Sequence, residues 1–235
     1  MLLDALMRDK SPIILALDTP DVASAIELIE KTKSVISIYK LGLEFFLAHG
    51  KPGVEEIQRA FPDIDVFLDL KLHDIPNTVA GASASIARLK PRFLTVHAAG
   101  GTEMVRAAVQ QLRNTSITAV TVLTSLTRNE LAELGLPSDP AKLAISLAQR
   151  AVLGGATSIV CSPHEAASLR QSLGAEITII TPGVRPENSS KNDQSRVMTP
   201  REAMQQGANY VVIGRPITQA LNPYDAASEI RNSLD

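Results

Sequence analysis

The chain has 235 residues, 45% of them hydrophobic and 20% charged, with a net charge of −2 and a pI near 6.1. That length holds one large core or two small ones, and the near-neutral balance lacks the basic excess that a nucleic-acid or anionic-membrane partner would favour. Aromatic residues make up 3% and Trp is absent, so base-stacking platforms are not expected, and Ala, Leu, Ile and Val must fill the core.

The N-terminal MLLDALMRDKSP carries Asp4, Arg8, Asp9 and Lys10 and lacks the apolar core of a signal peptide. No uncharged apolar run approaches the roughly 20 residues that cross a bilayer, so a soluble cytoplasmic protein is expected. Eight β-rich runs then follow in order: PIILALDT (12–19), SIYKLGL (37–43), DVFLDLKL (65–72), RFLTVHAAG (92–100), SITAVTVLTS (116–125), TSIVCSP (157–163), ITIITPG (177–183) and YVVIGRP (210–216). Amphipathic stretches lie between them, at 21–33, 101–113 and 139–154 among others, with apolar residues recurring every three or four positions. Asp21 after Pro20, Asp139 before Pro140 and Thr199 before Pro200 read as helix starts.

Eight alternating strand–helix units in one chain predict an α/β fold, a single-domain (β/α)8 TIM barrel over residues 1–235. The alternative is a doubly wound open sheet. It would place a glycine-rich turn after its first strand, and PDVAS, which follows PIILALDT, has none. The polar stretch 183–196 reads either as a surface loop or, after a seventh barrel strand, as an active-site lid.

In such a barrel the C-terminal strand ends carry the chemistry. Asp18 closes the first run, Lys40 lies near the end of the second, and Asp69, Lys71 and Asp74 close the third. By the period-2 rule, Phe67, Asp69, Lys71 and His73 share one face and Leu68, Leu70 and Leu72 the other. Lys40 likewise shares a face with Ile38, and Asp18 with Ile14 and Ala16. Any one of these charges read alone is a structural ion pair; several converging on one rim point to a site. After the seventh and eighth runs, TPGVRP and IGRP supply Gly183, Gly214, Arg185 and Arg215, suited to a phosphate cradle. The four histidines show no metal-ligand spacing. His97 reads as a hydrogen-bonded structural residue or as a site wall, AAGGTE (98–103) as a turn and helix start or a phosphate turn, and the single Cys161 as core.

DLKLHDIPNT (69–78) resembles the signature of the orotidine 5′-phosphate decarboxylase family. The likeness extends over LALD, YKLGLEFF, VHAAGG, VTVLTS, TPGVRP and IGRP, hence along nearly the whole chain. The resemblance implies conversion of orotidine 5′-phosphate to UMP and CO2, the last step of de novo UMP synthesis, with neither metal nor organic cofactor. It implies Lys71 as proton donor, Asp69 beside the substrate carboxylate and Lys40 completing their charge network. Asp74 and Thr78 would reach into the neighbouring subunit of a homodimer with shared sites. Asp18 and Lys40 would hold the ribose, Thr124 (or else Ser125) the pyrimidine, and Gln194, Gly214, Arg215 and Arg185 the phosphate. Competing readings are a metal-dependent sugar-phosphate decarboxylase or aldolase on the same scaffold, a sugar-phosphate isomerase, and a non-catalytic nucleotide-binding protein.

Overall fold

The computed structural model describes residues 11–186 and 198–234, and each of the eight runs contains a strand: β1 (Ile13–Ala16), β2 (Ile38–Gly42), β3 (Asp65–Leu72), β4 (Phe93–His97), β5 (Ser116–Val120), β6 (Ser158–Val160), β7 (Thr178–Thr181) and β8 (Tyr210–Ile213). All neighbours pair in parallel and in chain order. β8 returns to β1 through Ile13–Val211, Ile14–Val212 and Leu15–Ile213, so the sheet is a closed barrel and the open doubly wound alternative is excluded. Parallel strands covered on both faces need apolar residues on both. β1 is fully buried along IILA, and it reads as an unbroken greasy run for that reason.

The connecting helices are α1 (Val22–Thr32), α2 (Leu43–Ala60), α3 (Pro76–Ile86), α4 (Gly101–Gln111), α5 (Arg128–Glu133), α6 (Pro140–Leu153), α7 (Ala166–Leu173), α8 (Pro200–Gln205), α9 (Arg215–Thr218) and α10 (Pro223–Asn232). The three expected caps are in place. Asp21 accepts from the Ser24 amide at 2.7 Å, Asp139 from the amides of Ala141 and Lys142, and Thr199 forms a reciprocal capping box with Glu202. α2 bends where Gly50 takes φ +57° ahead of Pro52, which cannot donate to the helix ladder. The AAGGTE stretch is a turn and helix start: Ala98–Gly100 form one 3₁₀ turn and α4 opens at Gly101.

Two apolar layers separate by residue parity. Leu15, Leu41, Leu68, Leu70, Val96, Ile159 and Val211 face outward against the helices. Ile14, Ile38, Phe67, Phe93 and Ile180 fill the barrel interior, with Val160, Tyr210 and Val212 packed beside them. Phe93 makes edge contacts with Phe67 at 5.5 Å and Tyr210 at 5.9 Å between ring centroids. Below this layer, at the N-terminal end of β3, Arg92 joins Asp65 at 2.7 Å to the Tyr210 hydroxyl at 2.7 Å. The plug of aromatic and aliphatic side chains forms a floor, so whatever lies above it is open only toward the C-terminal mouth.

The strands end earlier than the sequence runs suggest. β5 stops at Val120 rather than at 125, because β6 spans only Ser158–Val160. After the Thr121 amide bonds the Val160 carbonyl at 3.1 Å, no strand partner remains for 122–125 among the described residues, and the chain turns into the mouth.

Phe93→Ala is expected to lower unfolding stability by about 3–5 kcal/mol, read from the chemical denaturation midpoint, with the far-ultraviolet circular dichroism retained.

Candidate active site

One layer above the aromatic floor, the inward positions become charged. Lys40 sits two residues past Ile38 on β2, and Asp69 two past Phe67 on β3. Their side chains are only 12% and 13% exposed, which decides that they are interior rather than rim charges. The charges alternate in sign along a continuous chain. Asp18 Oδ1 lies 3.4 Å from Lys40 Nζ, Lys40 Nζ lies 3.5 Å from Asp69 Oδ2, and Lys71 Nζ lies 2.8 Å from both Asp69 oxygens. Two acids and two bases cancel, so the cluster avoids the desolvation cost of an unpaired buried charge.

Burial alone would raise the Asp69 pKa, but the Lys40 and Lys71 charges, together with hydrogen bonds from Lys71 and Thr95, outweigh it and hold the carboxyl below its ordinary range. Asp69 is therefore ionised throughout the neutral range, and its charge keeps both ammoniums close.

β3 is irregular at this point. Leu68 pairs with Leu94 and the next pair is Leu72 with Val96, so three residues, Asp69, Leu70 and Lys71, lie opposite the single Thr95. Lys71 takes φ +47°, a left-handed conformation that costs a non-glycine residue about 1–2 kcal/mol. Period-2 alternation survives the irregularity: Leu70 packs on the outer core while Asp69 and Lys71 line the interior. The Thr95 hydroxyl donates to Asp69 Oδ1 at 2.9 Å and accepts the Lys71 amide at 2.8 Å. Gly42 ends β2 where a Cβ would lie 3.2 Å from Lys40 Nζ and 3.4 Å from Asp18 Oδ1. Neither Thr95 nor Gly42 stands out in the sequence; the polar residue within FLTVH was the only available sign of the first.

Lys40, Asp69 and Lys71 open into a cavity of about 230 Å³ also lined by Phe67, Val122, Thr124, Pro182 and Val212. A wider cleft of about 1150 Å³ adjoins it, sharing Thr124 and Pro182 and adding Ser125, Ser162 and Gly183. Thr124 thus borders the charged cavity, whereas Ser125 borders the wider cleft alone. Gly183, at φ +77°, turns the chain after β7. Arg185 follows it, half-buried, with its amide on the Met198 carbonyl at 3.1 Å. Gly214 precedes α9 at the end of β8, and Arg215 is exposed at the start of that helix. These loops follow paired strands, Ile180 opposite Tyr210. Gln194 and most of the 183–196 stretch lie outside the described residues.

Asp74 and Thr78 are not brought to this cavity. Both belong to the exposed stretch 73–78, where the Asp74 carboxylate accepts its neighbour Ile75's amide at 2.6 Å and Ile75 is 66% exposed. His97 does not line the cavity either; it stacks on His73 with ring centroids 5.2 Å apart, in place of the expected hydrogen-bonded role. Burial, then the neighbouring His73 and Lys71, hold the His97 pKa below its ordinary value against the pull of Asp69. Cys161 is buried, and burial pushes its thiol far above the usual range, which fits a core residue rather than a nucleophile.

The profile of the orotidine 5′-phosphate decarboxylase / HUMPS family matches residues 11–230. The chain is 50% identical over 225 residues to an orotidine 5′-phosphate decarboxylase of Thermobifida fusca, covering 95% of this chain and 96% of that one. It is 43% identical to the protein of the same name from Moorella thermoacetica, covering 97% and 94%. Among solved structures, an orotidine 5′-phosphate decarboxylase from Lactobacillus acidophilus superposes with a TM-score of 0.82 at 32% identity, over 96% of this chain and 99% of that one.

The Asp69 pKa carries a stability consequence. A carboxyl held below its ordinary 3.8 in the folded chain contributes stability that is present above 3.8 and is lost as pH falls below it through the lower folded value. Wild type should therefore lose more stability than Asp69→Asn between pH 7 and pH 3, measured by urea unfolding at each pH.

Proposed function

Because the chain belongs to the orotidine 5′-phosphate decarboxylase / HUMPS family, we propose that its charged barrel mouth performs the family's reaction with the residues described above. The protein decarboxylates orotidine 5′-phosphate to UMP and CO2 in pyrimidine biosynthesis. The observation that carries the residue assignment is the alternating chain Asp18–Lys40–Asp69–Lys71 opening into a cavity bordered by Thr124.

Loss of CO2 from C6 of the pyrimidine leaves a carbanion with little resonance relief, and the reaction as assigned calls on no electron-sink cofactor. Lys71 is the ammonium that stabilises the developing charge and then delivers its proton to C6. Asp69 holds that ammonium in place and lies beside the substrate carboxylate, whose charge disappears as CO2 leaves. Lys40 balances Asp69 and, with Asp18, takes the ribose hydroxyls. Thr124 meets the pyrimidine. Arg185, Gly214 and Arg215, with Gln194 in the 183–196 stretch acting as a lid, take the phosphate. That group is remote from C6, so its binding energy can be used to close and organise the site.

The same proposal includes a homodimer acting in the cytoplasm, with the barrel as the only domain. Asp74 and Thr78 sit on an exposed segment that does not line their own cavity, beside the exposed Ile75, and a second copy is the partner whose site they would complete. Among the described residues, no helix is long and apolar enough to cross a membrane.

The first test is conversion of orotidine 5′-phosphate to UMP in excess EDTA, followed by loss of the orotate chromophore. Turnover is expected; its absence with UMP still bound would overturn the assigned chemistry. Lys71→Ala should turn over nothing detectable while keeping its circular dichroism; near-normal kcat would refute the proton-donor role. Equimolar mixing and reassembly of inactive Lys71→Ala and Asp74→Asn chains should restore about a quarter of wild-type sites, since each heterodimer contains one intact site if Asp74 crosses over. No recovery from two inactive chains would place Asp74 in its own chain's site, and an active Asp74→Asn chain would place it outside catalysis.

A further inference from the structure

We propose that Thr95 is a positioning residue for the reaction, its hydroxyl holding the Lys71 backbone in its left-handed conformation and fixing the Asp69 carboxylate in the same stroke. The inference rests on the catalytic assignment of Lys71 and Asp69 made above.

Thr95 is fully buried on β4, in the layer directly above Phe93. Where Leu68 to Leu72 of β3 pass Leu94 to Val96 of β4, it stands alone opposite three residues. An irregularity of this kind interrupts the regular strand ladder and leaves amides in need of other acceptors. The Lys71 amide finds its acceptor in the Thr95 side chain, at 2.8 Å. The same oxygen carries the proton donated to Asp69 Oδ1 at 2.9 Å. A hydroxyl can donate one hydrogen bond while accepting another, so a single atom ties the backbone of the lysine to the carboxylate that holds the lysine's ammonium. The left-handed φ of +47° at Lys71 is the strained element of the site, and such strain persists only where surrounding contacts over-determine it. A threonine serving only to satisfy a strand would bond one neighbour. This one closes a loop from Lys71 N through Thr95 to Asp69 and back to Lys71 Nζ. The titratable groups facing Asp69 are Lys71 on its own strand, Lys40 from β2 with Asp18 behind it, and His97 from β4.

The test compares Thr95→Val, which has nearly the same shape but no hydroxyl, with Thr95→Ser, which keeps it. Thr95→Val should lower kcat by on the order of ten- to a hundredfold, with UMP affinity little changed. The acid limb of its kcat–pH profile should move to higher pH, since Asp69 loses a donor that favours its ionised form. Thr95→Ser should stay within a few-fold of wild type on both measures. A Thr95→Val enzyme with kcat within about twofold of wild type and an unmoved acid limb overturns the proposal, whatever its melting temperature. If Thr95→Val does not fold, Thr95→Cys replaces it, because a thiol matches the serine shape but bonds weakly; the same two outcomes decide. Hydrogen exchange at the Lys71 amide separates this proposal from the catalytic assignment. Protection lost in Thr95→Val supports the positioning even if wild type fails to decarboxylate, whereas an active wild type with unchanged Lys71 protection in Thr95→Val refutes the positioning alone.

Discussion

The site depends on keeping one carboxylate ionised in a nearly closed interior. Asp69 is mostly buried, and burial by itself favours its protonated form. Two ammoniums, Lys40 and Lys71, reverse that preference, and each in turn stays within reach because Asp69 is charged. Removing Lys40 or Asp69 leaves an uncompensated charge over an apolar floor of Phe67, Ile38 and Phe93. The alternation Asp18, Lys40, Asp69, Lys71 thus balances the charge that the mouth encloses.

The barrel supplies the rigidity this arrangement requires. Its lower half is a plug of aromatic rings and aliphatic side chains closed off by Arg92, Asp65 and Tyr210, and its outer layer is covered by helices begun at strong caps. Against that frame, β3 can tolerate an irregular pairing and a left-handed lysine at its charged end. Stability and strain are divided between the two ends of the same strands: regular pairing and dense packing below, broken register and charge above.

A single chain brings together the charge chain and Thr124 but leaves 73–78 outside their cavity. This stretch carries acid, amide and hydroxyl side chains beside an exposed isoleucine, immediately after β3. The DLKLHDIPNT segment is divided accordingly: its first half lines its own barrel interior, and its second half is exposed. The loops after β7 and β8 lie on the opposite side of the ring from β3 and β4.

The sequence alone was enough to reveal eight strand–helix repeats, the helix starts at Asp21, Asp139 and Thr199, and the inward direction of Lys40, Asp69 and Lys71. Each of these follows from local periodicity or local capping chemistry, which neighbouring residues in the chain determine among themselves. The family was legible for a related reason, since its motif residues lie within short contiguous stretches. What the tertiary structure decided is what depends on pairing between strands. The three-against-one register at Thr95, the left-handed Lys71, the closeness of Gly42 to Lys40 and the early end of β5 are properties of two elements meeting. No single strand's alternation encodes its partner's offset, so Thr95 looked like any polar residue in a barrel strand until β3 was laid beside it.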